Sequence, residues 1–491
     1  MKGPWAGSLR FSYPGTLRGW TPEPADGVDL TLALYNYIVV NMRPRHLLLL
    51  LAFGSALPAW LAAQQLTLAD ALARAEASGY ANRAARAQAS AEHANTLGAL
   101  QGVLPALRVE SGWVKTTDPL GAFGFLLRQR SVTPAAFDPA SLNYPAARSN
   151  WNAGVVAEVP LFNADAWAGR SAARARARAA AANADWTAGT TRLQVVQTYY
   201  AARLASDVVL TLEVAEAMAA AHVHQANSML EQGMVTRSDL LLAQLRAGEI
   251  RAQLIGARAQ AGLARQQLAL LLGVPADTAF ALPDSLPSAE RIRGVAELLA
   301  PAPLEQRADV DAAKAAADAA GRDVHRATGR LLPRLNAFGR YDWNDPTTPF
   351  RGEPSWTFGV MASWTPFSGF SEIGDVRGAR ARATAARAMV EAAEGQAALE
   401  VSSRESDVTV AIARLAIAEQ AVDQGSEAHR LVARQYAGGL TGITDLLGAQ
   451  ATETRTRLGL AQARVDLITA LAARALAQGA DPAVVIAVED R

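Results

Sequence analysis

Two stretches of the chain, 163–232 and 368–438, each run for about 70 residues without a proline, and each ends at a glycine, Gly233 or Gly439. Proline is the residue a helix interior tolerates least. At 1.5 Å per residue, such a run is a helix on the order of 100 Å long, far beyond an ordinary globular helix. The segments that follow, 237–272 and 443–479, are proline-free as well. In the second of them Leu447, Ala451, Thr454, Leu458, Ala461, Val465, Ile468, Ala472 and Ala475 alternate spacings of four and three. That is a heptad seam, built mostly of small side chains that let helices approach closely. Long helices joined by tight turns predict antiparallel coiled coils.

The pairing of these features is a duplication. Trp151-Asn-Ala-Gly-Val-Val-Ala-Glu-Val-Pro-Leu-Phe162 returns as Trp356-Thr-Phe-Gly-Val-Met-Ala-Ser-Trp-Thr-Pro-Phe367 at an offset of 205. Arg174-Ala-Arg176-Ala returns as Arg380-Ala-Arg382-Ala at 206, and the turn Gly233 to Gln244 returns as Gly439 to Gln450, again at 206. Upstream, Leu104-Pro105 with Trp113 matches Leu332-Pro333 with Tyr341 at 228, so the first copy carries a loop 23 residues longer. The expected organisation is a first unit over 64–274, a linker over 275–303, a second unit over 304–480 and a tail over 481–491. Each unit reads helix, strand, loop, strand, long helix, tight turn, return helix. The opening helix is expected over Leu68 to Val103, stopped by Pro105, and its counterpart over Leu304 to Leu332.

The strands alternate. Trp151, Ala153, Val155, Ala157, Val159 and Leu161 share one face, against Asn152, Gly154 and Glu158. Leu335, Ala337, Tyr341 and Trp343 oppose Asn336, Arg340 and Asp342. Period two with one apolar and one polar face is a sheet pattern, and about ten residues is the length that crosses a bilayer when tilted. Met42 opens a secretory address: Arg43 and Arg45, then an apolar run from Leu47, with cleavage expected after Ala63. Pro58 and the small residues around it argue against a membrane anchor. Residues 1–41 precede that complete signal at 42–63 and are expected to be a non-native extension. Cysteine is absent, which excludes disulfides, thiol chemistry and a lipid-modified cysteine. The near balance of 47 basic and 46 acidic residues gives no general reason to bind nucleic acid.

Two units supply four membrane-length strands. Four strands cannot close a barrel, and open edges do not survive in lipid. Two chains would give eight strands and three would give twelve, and only the larger number leaves room for a channel. Trp113, Trp151, Tyr341, Trp343, Trp356 and Trp364 lie near strand ends, where the aromatic girdles of membrane barrels belong. A soluble β-sandwich core is the competing reading of the same strands.

The duplicated order of elements, the paired Leu-Pro before a strand, the strands ending in Pro-Leu-Phe or Pro-Phe and the Gly-x5-Asp-Leu-Leu-x-Ala-Gln turns together resemble the TolC family of outer membrane efflux proteins. The resemblance covers about 64–480. It implies a mainly helical fold whose long hairpins form a periplasmic α-barrel, with four strands per chain contributing to a trimeric, twelve-stranded transmembrane β-barrel. It also implies a location in the outer membrane, a periplasmic adaptor and an inner-membrane transporter as partners, and export of drugs, small toxic molecules or secreted proteins.

By that resemblance Gly233, Met234, Val235, Thr236, Gly439, Leu440 and Thr441 are tips that meet the adaptor. The plainer reading is that Gly and Thr end and cap helices. Asp239, Tyr436 and Asp445 are expected at the periplasmic gate, where Asp445 would be one of three like charges. Gly448 stands where the family can carry a second acid, and Thr441 where it can carry an arginine link, which implies a less acidic and less tightly latched gate. The arginines at 170, 174, 176 and 178 either line the tunnel or form a solvated helix face. The loop 117–150, with Phe123, Phe125 and Phe137, is expected outside the cell. The six histidines (46, 93, 222, 224, 325, 429) show no ligand spacing, no nucleophile or phosphate-loop motif occurs, and neither enzyme activity nor a cofactor is expected. A periplasmic coiled-coil adaptor and a structural scaffold are the alternatives.

Overall fold

The computed structural model describes residues 65–278, 280–283, 285–298 and 307–489. The expected extension 1–41 and signal peptide 42–63 lie outside the described residues, as do 299–306 of the linker and the start of the second unit. Gln65–Arg491 form one compact unit. Its elements run α1 Leu68–Ser78, α2 Tyr80–Gly98, β1 Ala106–Thr116, α3 Pro119–Arg128, α4 Pro139–Asn143, β2 Arg148–Phe162, α5 Ala164–Glu231 and α6 Arg237–Leu271. The second half runs α7 Ala289–Leu298, α8 Ala308–Gly329, β3 Arg334–Asp345, β4 Glu353–Ser363, α9 Ser371–Ala437 and α10 Ile443–Ala477.

The long helices are there, at 68 residues for α5 and 67 for α9, with returns of 35 residues each. Alanine, the best helix former, recurs throughout them. The opening helix differs from expectation: it is two helices split at Gly79 and ends at Gly98. The break lies where the chain passes the turn after α6. Ser78 Oγ donates to Leu272 O at 2.6 Å, and a Cβ on Gly273, whose φ is +73°, would lie 2.3 Å from Ser78 O.

The helices pack side by side, α2 on α5, α5 on α8 and α8 on α9, while α6 and α10 return along α5 and α9. The main core sits midway along the long helices, where Tyr199, Tyr200, Leu268, Leu415, Leu467, Ile468 and Leu471 pack with α1, Ile292 of α7, and Val485 and Val488 near the C-terminus. Burying these side chains is the dominant stabilising term, roughly 1.5–3 kcal/mol for each large one. Two buried arginines belt the same level. Arg203 bonds Glu489, and Arg307 bonds Ala477 O at 3.1 Å and Glu400 at 3.0 Å.

The seam of α10 follows expectation only in its second half, where Ala461, Val465, Ile468, Ala472 and Ala475 are buried. Toward the tip the buried positions are Ile443, Leu446, Gln450 and Glu453, not Leu447, Ala451 and Thr454. The α-helix's 3.6-residue turn drifts against a strict seven-residue repeat, and packing on both α5 and α9 turns a neighbouring row inward.

The four strands make one antiparallel sheet in the order β1-β2-β3-β4. Among the described residues its two edges, β1 and β4, are unpaired, since each has a single neighbour.

Candidate functional site

Strand register sorts the sheet into two faces, because directly opposed residues point the same way. On one face lie Leu107, Val109, Val155, Tyr341, Trp356, Phe358 and Val360. Leu107 is 73% and Phe358 75% exposed, so the apolar band lies open on both edge strands. On the other face lie Glu110, Asn152, Glu158, Asn336, Arg340, Asp342 and Asn344. These are joined: Arg340 donates to Asp342 at 2.7 Å and to Asn152 at 3.3 Å, Asn336 donates to Glu158 at 2.8 Å, and Asn152 donates to Asn344 at 3.3 Å. A sheet apolar on one side and hydrogen-bonded among charges on the other separates hydrocarbon from water.

Five of the six aromatics selected from the sequence stand at the sheet end remote from the long helices. Trp113 pairs directly with Trp151, and Tyr341 with Trp356, while the rings of Tyr341 and Trp343 are 4.8 Å apart. Trp364 stands just past β4 at the opposite end, its Nε1 donating to Leu331 O at 3.1 Å. Near it, and missed in the sequence, Phe162 meets Trp167 edge-on at 5.6 Å, and Phe367 meets Phe370 at 5.3 Å. The loop after β1 folds into α3 and α4, with Phe123 against Phe137 at 5.7 Å.

At the far end of the long helices are the two turns. Gly233 and Gly439 have φ of +72° and +70°, the left-handed conformation that closes a helix at little cost only for glycine. Met234 N–H bonds Met229 O and Leu440 N–H bonds Gln435 O, both at 2.9 Å, which satisfies carbonyls that a helix end leaves open. Met234 is 59% and Leu440 82% exposed, whereas Val235 packs on the cluster beneath. Thr236 caps α6 in a reciprocal box with Asp239. Bonds from the Thr236 N–H and hydroxyl hold the Asp239 carboxyl below the usual carboxylate range. Asp445 is exposed and accepts from Thr441 Oγ1 at 2.5 Å.

Tyr436 is buried in a cluster with Ala226, Met229, Ala243, Ile443 and Leu446, which ties the two hairpins together. Its hydroxyl has no hydrogen-bond partner among the described residues; burial, and then the nearby Asp239 charge, push its pKa up.

One cluster escaped sequence reasoning, and of a second only the arginines, not their partners, were legible. His222 of α5 and His429 of α9 meet edge-on at 5.8 Å, His429 Nδ1 bonds the buried Glu453, and Arg457 bonds the same carboxylate at 2.6 Å. Burial, and then His429, lower the His222 pKa. No sequence signal marks residues so far apart. Two of the arginines near the start of α5 reach α8: Arg178 pairs with Asp318 at 2.7 Å and Arg176 with Asp323. Beside them Arg330 pairs with Asp375 at 3.2 Å and Arg334 with the buried Asp165. Arg176 and Arg178 are thus ion-paired yet exposed, and Arg174 is exposed as well.

The model of the outer membrane efflux protein family matches residues 125–274 and 299–480, well over half of the chain. The chain belongs to that family. Solved structures agree on the fold. The outer membrane protein VceC of Vibrio cholerae aligns with a TM-score of 0.70 at 20% identity, over 86% of this chain and 98% of that one. The CmeC outer membrane channel of Campylobacter jejuni gives 0.70 at 14% identity, over 86% and 87%. The MtrE outer membrane channel of Neisseria gonorrhoeae, in its open state, gives 0.67 at 18%, over 84% and 89%. Among curated proteins, none matches the chain by sequence.

As a member of the outer membrane efflux protein family, the chain is an outer-membrane efflux channel protein with a large periplasmic helical portion. The adaptor and scaffold readings are not favoured, and the family is one of channels rather than enzymes.

Proposed function

We propose that three copies of this chain close their four-stranded sheets into one twelve-stranded barrel, and that the helices below extend it as a duct across the periplasm. The observation that carries this reading is the sheet itself: unpaired edges on β1 and β4, an apolar outer band and a charged inner face. In lipid an edge must be paired, and only other copies can pair these. The mass of the detergent-extracted outer-membrane particle tests it. Three chains are expected; a monomer, or a particle of two, would sink the twelve-stranded barrel.

The aromatics Trp113, Trp151, Tyr341, Trp343 and Trp356 would then lie at the outer membrane–water interface and Trp364 at the periplasmic one. The exposed Met234 and Leu440, with Gly233, Val235, Thr236, Gly439 and Thr441, form the surface offered to a periplasmic adaptor, which connects the duct to an inner-membrane transporter. Asp239, Tyr436 and Asp445 belong to the gate at that end. Asp445→Asn is expected to change cation block of the pore in planar bilayers, and an unchanged block removes Asp445 from the gate. The mature chain would begin after residue 63, as an N-terminal mass would show. Cargo classes consistent with the family are drugs, other small toxic molecules and secreted proteins.

A further inference from the structure

The duplication sets an arginine in the same place twice, Arg176 on α5 and Arg382 on α9. Both line one wall. An open groove of about 540 Å³ across α2, α5 and α8 is lined by Arg170, Arg176, Arg326, Arg330 and Arg334. A second groove, across α8 and α9, shares Arg326 and Arg330 and adds Arg382. Against these six guanidiniums stand four carboxylates, Glu92, Asp165, Asp323 and Asp375. The groove linings of each copy therefore carry an excess of two positive charges, whereas the polar sheet face above them sets Glu110, Glu158 and Asp342 against Arg108 and Arg340.

The sheet register shows which side this wall faces. Arg334 alternates in phase with Asn336 and Arg340, on the polar face of the sheet. Asn163, on the rim of the first groove, donates to Asn336 at 3.2 Å. The grooves thus continue the hydrogen-bonded face of the sheet and not its apolar band. The pairing is incomplete. Arg176 and Arg326 share Asp323, Arg330 holds Asp375 and Arg334 holds Asp165, whereas Arg170 and Arg382 have no ion pair among the described residues.

We propose that this stretch, directly beneath the barrel, is an anion-selective section of the duct, and that the cargo it favours carries carboxylate, phosphate or sulfonate groups. The proposal rests on the duct reading, in which the polar sheet face lines the lumen. A guanidinium fork matches each of those anions through two parallel hydrogen bonds. Copies around a common axis would turn a local excess into a ring, and a narrow water-filled passage focuses such a field. The tips cannot cancel it: they lie some 60 residues along α5, on the order of 90 Å away and many screening lengths distant.

The test uses the full-length protein in planar bilayers, with tripolyphosphate added on the barrel side under a potassium chloride gradient. Arg170→Gln with Arg382→Gln is the informative variant, because neither change strands a buried acid. Wild type is expected to be blocked, and the double variant to need about tenfold more tripolyphosphate. The reversal potential should shift toward cation selectivity in the variant. Equal block and equal reversal potential in both proteins would overturn the proposal while leaving a conducting duct. Tripolyphosphate binding without any change in current would assign the arginines to headgroups outside the lumen, and would also overturn it. Absence of any conductance, with a monomeric mass in the same sample, would instead refute the duct reading beneath it.

Discussion

The two hairpin tips occupy matching places in the duplication and share a backbone, yet they are fastened differently. At the first, Thr236 and Asp239 cap α6 reciprocally. At the second, the N-cap is Gly442, which offers no side chain, and Asp445 bonds sideways to Thr441. The helices behind them differ in the same sense. Buried positions of α6 are all apolar, from Ala243 through Ile250 and Leu254 to Leu268. The seam of α10 buries Gln450, whose Nε2 donates to Ala215 O at 3.0 Å, and Glu453 between His429 and Arg457. Duplication has kept the left-handed glycine that a reversal requires and let the side-chain fastening diverge. A polar seam costs more to leave half-satisfied than an apolar one, so the second hairpin is the one whose closure depends on particular bonds.

Four outcomes would sharpen or break that contrast. The largest effect belongs to the cluster both tips share. Tyr436→Ala is expected to cost about 3 kcal/mol and to raise amide exchange around both turns together. Tyr436→Phe should cost almost nothing, since the hydroxyl has no partner among the described residues. If exchange rose at one turn only, the tips would not share a core.

Next comes pH. Burial keeps the folded His222 pKa below its ordinary 6.5, so the opened state takes up the proton more readily. Stability conferred by neutral His222 is present above 6.5, falls as pH drops through that value, and levels off below the lowered folded pKa. Protection of α10 around Glu453 should fall over this window, and His222→Leu should flatten the fall. A pH-independent profile in wild type would contradict the buried pair.

Thr236→Ala is expected to cost about 1 kcal/mol, seen as faster exchange in the first turn of α6 with α10 unchanged. The smallest effect is a gain. Gly442→Asp supplies the missing cap, its backbone is already extended, and no atom lies within 4 Å of the new Cβ. Slower exchange at the start of α10, worth a few tenths of a kcal/mol, is expected. A loss there would mean that the second tip is held by something other than its cap.

What could be read from the residues alone was whatever has a short period. Alternation over 151–161 and 335–343, proline-free runs before Gly233 and Gly439, and the repeated turns each express local geometry, and the strands, helices and turns stand where that geometry put them. The single opening helix was misjudged because Gly79 breaks it in response to a turn almost 200 residues later. The α10 seam was misplaced near its tip because two neighbouring helices, not one, choose which row is buried. The His222–His429–Glu453 cluster and the partners of the arginines over α5, α8 and α9 were illegible for the same reason. Each joins side chains whose sequence separation carries no pattern, and only the packing of long helices side by side brings them within bonding distance. Local periodicity sufficed to determine the kind of element; the tertiary structure alone decided which charges meet, because a Coulomb or hydrogen-bonded contact depends on distances of a few ångströms that no periodicity encodes.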